Sequence, residues 1–232
     1  MGRPRDFNVD QALDRALAVF WRKGYEGASL SDLTRAMRIN RPSLYAAFGN
    51  KEALFRGVLD RYAEGPAAYF REALAEPTAG AVVERLWRTA VARLTDPRSP
   101  RGCLMVQSAL ACGDEAEPVR REVAARRAAA VVALRERFAR AVAEGDLPAC
   151  AEPAALARYV AAVNHGMAVQ AVDGASREEL EQVVEMALRT WHGEHITGVR
   201  ESRSAGSRDP SQRASRVARG RVGTRLDGLP RE

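Results

Sequence analysis

Apolar side chains recur at three- and four-residue spacing along almost the whole chain to about residue 192, and nowhere do β-branched residues alternate between turn signals. A period near 3.6 marks helices buried on one side, so the pattern restricts the chain to an all-α fold. The first helix is predicted from about Asn8 to Lys23, with Val9, Leu13, Leu17 and Phe20 on one stripe and Gly24 as a left-handed stop. Ser29 with Asp32 forms a capping box for a short second helix that buries Leu30, Leu33 and Met37. Asn40 caps a third helix, where Pro42 sits in the first turn and Leu44 and Phe48 point inward. Asn50 caps a fourth, carrying Leu54, Phe55, Val58, Leu59 and Tyr62.

Gly65-Pro66 breaks this module, residues 1–62, from a second all-α domain over 63–199. Its helices are predicted near 67–75, 80–95, 101–112, 116–144, 152–172 and 176–192. From about Arg200 onward Ser, Gly and Arg dominate without an apolar period, so 200–232 is read as a disordered basic tail. Charge follows the same division. Eleven basic against seven acidic residues give the first 62 a net +4, sixteen against nineteen give 63–199 a net −3, and nine against four give the tail +5. A basic head on a mildly acidic body suits a chain of which one end meets a polyanion. Cys103, Cys112 and Cys150 have no CxxC spacing and suggest neither a disulfide framework nor a zinc ribbon. The charged residues among the first twenty exclude a secretory core, and no apolar run reaches the roughly 20 residues of a membrane span. The expectation is a soluble cytoplasmic protein without a membrane partner.

The segment Ala12–Tyr62, ALDRALAVFWRKGYEGASLSDLTRAMRINRPSLYAAFGNKEALFRGVLDRY, resembles the DNA-binding domain of the TetR family of regulators. The matching pieces, in order, are the first helix with its Gly24-Tyr25 stop, Ser29 and Leu33, the turn at Ile39-Asn40, the recognition helix RPSLYAAF and the opening NKEALF of the next helix. A second segment, GCLMVQSALACGDEAEPVRREV (102–123), is similar to one branch of that family. The resemblance implies a three-helix DNA-binding domain, with its helix-turn-helix at about 29–48, joined by a fourth helix to a helical ligand-binding and dimerisation domain. It implies a transcriptional repressor that leaves a palindromic operator when a small-molecule inducer binds, with an activator or a Cys/His metal or redox sensor as alternatives on the same scaffold.

In that geometry the third helix leads into the major groove. Arg41 at its start either binds a guanine edge with two hydrogen bonds or holds a phosphate, and Ser43 faces the same way. Tyr45 suits a phosphate oxygen, the role that a matching tyrosine has in the family. Lys51 opens the fourth helix, where its charge adds to free amide groups. Ser29, Thr34, Arg38 and Asn40 are secondary candidates, and Arg3 and Arg5 flank Pro4 in a basic arm fitted to a minor groove. A homodimer is expected through the two long helices. Val119, Val123, Val131, Leu134, Phe138 and Val142 supply one stripe, and Ala161, Ala162, Gly166 and Ala168 supply small residues for close approach. Candidate ligand contacts in the second domain are Trp87, Cys103, Gln107, Tyr159 and His165. No phosphate loop, nucleotide-binding glycine pattern or nucleophile elbow is present, so neither an enzyme nor a cofactor is expected.

Overall fold

The computed structural model describes residues 7–108 and 113–192, and among these it contains ten α-helices, a 3-10 turn at Asp114–Ala116 and no strand. The head consists of α1 (Val9–Gly27), α2 (Leu30–Met37), α3 (Arg41–Phe48) and α4 (Lys51–Glu64). Each starts on a side-chain cap: Asn8 accepts the Gln11 N–H, Ser29 that of Asp32, Asn40 that of Ser43 and Asn50 that of Ala53. These caps satisfy amide groups that a first helical turn leaves without carbonyl partners. At Ser29 the box is reciprocal, since the Ser29 N–H donates to the Asp32 carboxylate at 3.2 Å. The ammonium of Lys23, 2.8 Å away, and then Ser29 hold that carboxylate at a pKa of about 2.

Gly24 interrupts α1 at φ 68°, ψ −178°, but the helix resumes through Gly27, so the expected stop is a kink. Such a backbone state is open essentially to glycine alone. The break frees the Tyr25 N–H, which donates to the Ser108 carbonyl at 3.1 Å. Inside the head, Phe20 meets Phe55 edge to face at 4.9 Å, and Leu33, Met37, Leu44, Leu54, Val58 and Leu59 are buried with them. Leu104, Val119 and Val123 complete the same cluster, so packing continues from the head into the body without a gap. The boundary expected at 62–63 falls within α4.

The body contains α5 (Tyr69–Leu74), α6 (Ala79–Leu94), α7 (Leu104–Gln107), α8 (Glu117–Ala143), α9 (Pro153–Val172) and α10 (Arg177–Trp191). Leu86, Trp87, Leu134, Phe138, Val160, Leu180 and Val184 form its core. The Trp87 indole donates to the Val160 carbonyl at 3.2 Å, and the buried Arg137 donates to the carbonyls of Glu76 and Pro77, both at 2.9 Å, beyond the end of α5.

Two expectations change here. The helix predicted over 101–112 is limited among the described residues to Leu104–Gln107, because the head holds the preceding backbone in another shape. Trp21 donates its indole N–H to the Gly102 carbonyl at 3.2 Å, and Gln107 donates its side-chain amide to the Trp21 carbonyl at 2.8 Å. The apolar stripe of α8 expected at a subunit interface is used within the chain instead. Val119 and Val123 enter the head cluster, while Leu134 and Phe138 enter the body core. Ala168 is buried as well, whereas Ala162 and Gly166 are exposed on α9. Arg3, Arg5, Cys112 and the tail 200–232 lie outside the described residues.

Gly102 has φ 81°, and a Cβ added there would stand 2.4 Å from the Val172 Cγ2 and 2.6 Å from the Gln107 Oε1. Strain and overpacking act together, so Gly102→Ala should destabilise the chain by about 2 kcal/mol or more. A midpoint in thermal unfolding, followed by far-ultraviolet circular dichroism, that matches the unsubstituted chain would contradict this.

Candidate functional site

The head presents one polar face. Leu33, Met37 and Leu44 bury the inner sides of α2 and α3, which turns Arg41, Pro42, Tyr45 and Ala46 outward. Arg38 closes α2 in the left-handed conformation, φ 59°, and the Ile39 N–H reaches back to the Thr34 carbonyl at 3.1 Å, producing the sharp turn into α3. Ser31, Thr34, Arg35, Arg38, Ile39 and Asn40 line a shallow groove beside the start of that helix.

The candidate contacts fall into distinct positions. Arg41 is exposed and donates to the Ser31 hydroxyl at 3.2 Å, which lays its guanidinium across the gap between α2 and α3. Tyr45 is 45% exposed on the outer flank of α3, and Ser43 is partly covered beside it. Lys51, in the first turn of α4, holds its ammonium 4.5 Å from the Tyr25 ring centre, a cation–π contact that fixes its direction. The side chains of Ser29 and Asn40 are occupied as caps, and the Thr34 hydroxyl donates to the Leu30 carbonyl at 2.9 Å. Arg35, on the same groove, was missed in the sequence because a basic residue in the last turn of a helix reads as an ordinary solvated end.

A cavity of 440 Å³ lies in the body. Its wall takes Asp60, Tyr62 and Glu64 from α4, Tyr69 and Phe70 from α5, Cys103 and Met105 from the α7 segment, Arg126 and Arg127 from α8, and Asn164 and His165 from α9. That volume falls within the range of small-molecule sites. Tyr62 donates its phenol to the Cys103 sulfur at 3.3 Å. Burial raises the pKa of both groups, and for Cys103 the Tyr62 bond offsets part of the rise. Burial likewise raises the pKa of Tyr69, and the Asn164 Oδ1 on the same wall is buried without a hydrogen-bond partner among the described residues. Burial first, and then the charge of Arg127, lowers the pKa of His165.

Of the five expected ligand contacts, the structure places Cys103 and His165 on this wall. Trp87 and Tyr159 pack elsewhere: Trp87 is tied to Val160, and the Tyr159 hydroxyl donates to the Ala187 carbonyl at 3.5 Å. Gln107 is bonded to Trp21 at the joint between head and body. Among the described residues no group of three or more His, Cys, Asp and Glu side chains could hold a metal ion, and no helix is long and apolar enough to cross a membrane.

A helix-turn-helix with an open basic face, continuous with a helical body that contains a cavity, defines a DNA-binding regulator. Comparison with known proteins makes this specific. Residues 12–58 match the family model of bacterial regulatory proteins of the tetR family, and residues 81–186 match that of the tetracyclin repressor-like C-terminal domain. The HTH-type transcriptional repressor ComR of Escherichia coli is 33% identical over 192 residues, covering 82% of this chain and 91% of ComR. Among solved structures, a cysteine-substituted form of the TetR family transcriptional regulator CifR, complexed with 26-base-pair operator DNA, is 49% identical with a TM-score of 0.79. The match covers 82% of this chain and all of that one. A putative TetR regulator from Rhodococcus sp. RHA1 is 41% identical over 77% of this chain and 96% of its own, with a TM-score of 0.53. The chain belongs to the TetR family of transcriptional regulators.

The lowered pKa of His165 has a consequence for stability. The unfolded imidazole titrates near 6.5 and the folded one lower, so the unfolded state binds the proton more readily. The contribution is present above pH 6.5 and is lost as pH falls from there toward the folded pKa. His165→Asn should therefore show a shallower decline of melting temperature between pH 7 and pH 5, and parallel declines in the two proteins would contradict the assignment.

Proposed function

We propose that this chain is a transcriptional repressor that binds a palindromic operator as a homodimer and is released when a small molecule fills the cavity of the body. The observation that carries the reading is the placement of α4. Its first residue, Lys51, belongs to the basic face of the head, and its last turns supply Asp60, Tyr62 and Glu64 to the cavity wall. Fourteen residues at 1.5 Å each make a rigid connection of about 20 Å between the two. An occupant that shifts the wall therefore shifts the helix start that faces DNA. The repressor ComR supports repression, and the CifR–operator complex supports the DNA partner. Such a protein works where the DNA is, in the cytoplasm.

In this reading Arg41 reads base edges, while Tyr45 and Lys51 hold phosphates, with Ser43, Thr34 and Arg38 beside them. A subunit pair joins through the outer face of α9, where Ala162, Gly166 and the 47% exposed Val169 follow one another, together with the 59% exposed Met186 of α10. Reading two half-sites about 34 Å apart requires the pair.

A duplex selected from random-sequence DNA tests the assignment. It should contain an inverted repeat, and Arg41→Ala should cost roughly 1 to 3 kcal/mol on that duplex and much less on scrambled DNA. Tyr45→Ala and Lys51→Ala should weaken both duplexes alike, and selection without any repeat would contradict the proposal. A Cβ at Gly166 meets nothing within 4 Å, so Gly166→Arg leaves the fold of one subunit undisturbed. It should yield a monomer in light scattering that loses most affinity for the repeat, and an unchanged dimer would place the interface elsewhere.

A further inference from the structure

Among the charges on the cavity wall, Arg127 stands apart as the part-buried cation without an ion pair among the described residues, Arg71 also lacking one but being exposed. Arg126 is neutralised by Asp60 and Glu122, each at 2.7 Å, whereas Arg127 has no carboxylate within ion-pair distance among the described residues. Among the described residues it makes one hydrogen bond, from Nη1 to the Met105 carbonyl at 2.7 Å, which anchors the guanidinium and leaves the Nε–Nη2 edge available. The position is interior. Arg127 is part-buried, and its charge acts on both Cys103 and His165 across the cavity wall. The carboxylates nearby do not serve it, since Asp60 is engaged by Arg126, and Glu64 is exposed and acts on Arg61.

A half-buried cation without a counter-charge is costly, and an arriving anion would remove that cost. A guanidinium edge fits the two oxygens of a carboxylate with parallel hydrogen bonds. The same wall also carries apolar side chains: Ala130 and Leu134, one and two turns along α8 from Arg127, with Phe70, Leu86 and Ala161 from other helices.

We infer that the cavity takes a small amphipathic organic carboxylate, its carboxylate bound by the free edge of Arg127 and its hydrocarbon body packed against the apolar wall. The inference rests on the proposal that the cavity is the inducer site and assigns that site a charge. The Met105 bond gives the occupant a further point of purchase. Met105 belongs to the segment that the head holds through Trp21 and Tyr25, so a carboxylate that draws Arg127 inward pulls on that segment directly.

The experiment uses the full chain and measures binding of 3-phenylpropionate, 3-(4-hydroxyphenyl)propionate, octanoate and decanoate against their methyl esters. Binding is read by calorimetry and by displacement of the neutral dye N-phenyl-1-naphthylamine. At least one acid should bind ten or more times more tightly than its ester. Arg127→Met should bring that ratio to about one, and Arg127→Lys should keep a ratio above one; the ratio is internal to each protein and survives a loss of overall stability. Equal binding of acids and esters by the unsubstituted chain, or a ratio unchanged in Arg127→Met, overturns the inference. If the dye enters the cavity but no acid displaces it, the carboxylate assignment fails while the cavity remains a ligand site. If the dye does not enter either, the ligand-site proposal fails with it.

Discussion

The backbone between Gly102 and Ser108 is held at both ends by the head, with only the short α7 between, and the rest of the architecture is arranged around that hold. Trp21 binds the Gly102 carbonyl, Gln107 binds the Trp21 carbonyl, and the kink at Gly24 delivers the Tyr25 N–H to Ser108. Each is a bond between backbone and a partner more than 80 residues away in sequence, and at the buried Trp21–Gly102 bond losing one partner leaves a buried polar group unsatisfied. The same short segment sends Leu104 into the core of the head and Cys103 and Met105 to the cavity. It belongs to both at once.

Two physical connections thus run between cavity and DNA face. One is α4, which lies in both, and the other is the α7 segment, bonded to α1 on one side and to Arg127 on the other. A switch needs little energy through such connections: a hundredfold change in DNA affinity corresponds to about 2.7 kcal/mol of differential binding between two states. By linkage the same factor must appear in both directions, DNA on ligand and ligand on DNA. Phe20, Phe55, Leu104 and Val123 pack in one cluster, so in the proposed switch the head moves as a body rather than by bending locally.

The helices of the head were legible in the sequence because their signals are local. Asn8, Ser29, Asn40 and Asn50 each cap the helix that follows, and of the apolar residues expected on the inner faces Leu17, Phe20, Leu33, Met37 and Leu44 are buried, while Val9, Leu13, Leu30 and Phe48 are partly so. The break at Gly102 was not legible, since what imposes it is Trp21, 81 residues earlier. Periodicity identified the stripe of Val119, Val123, Leu134 and Phe138 as buried but not what it would be buried against, and here the chain covers its own stripe. The cavity was the least legible part. Tyr62 reads as an apolar residue of the fourth helix, and nothing local in the sequence sets Tyr69 or Arg127 apart, while Trp87 and Tyr159, expected as ligand contacts, direct their polar atoms to carbonyls of the body.

The central claim, that occupancy of the cavity sets the affinity of the head for DNA, can be tested without a ligand. Ala130 lines the cavity from α8, and Ala130→Phe fills part of its volume with a side chain from within. Measured on the selected duplex at fixed salt, the substituted protein should bind at least about tenfold more weakly, a difference of 1.4 kcal/mol, while retaining its helical spectrum and excluding N-phenyl-1-naphthylamine. Undiminished DNA affinity in a folded protein that excludes the dye would show that the cavity and the DNA face are uncoupled.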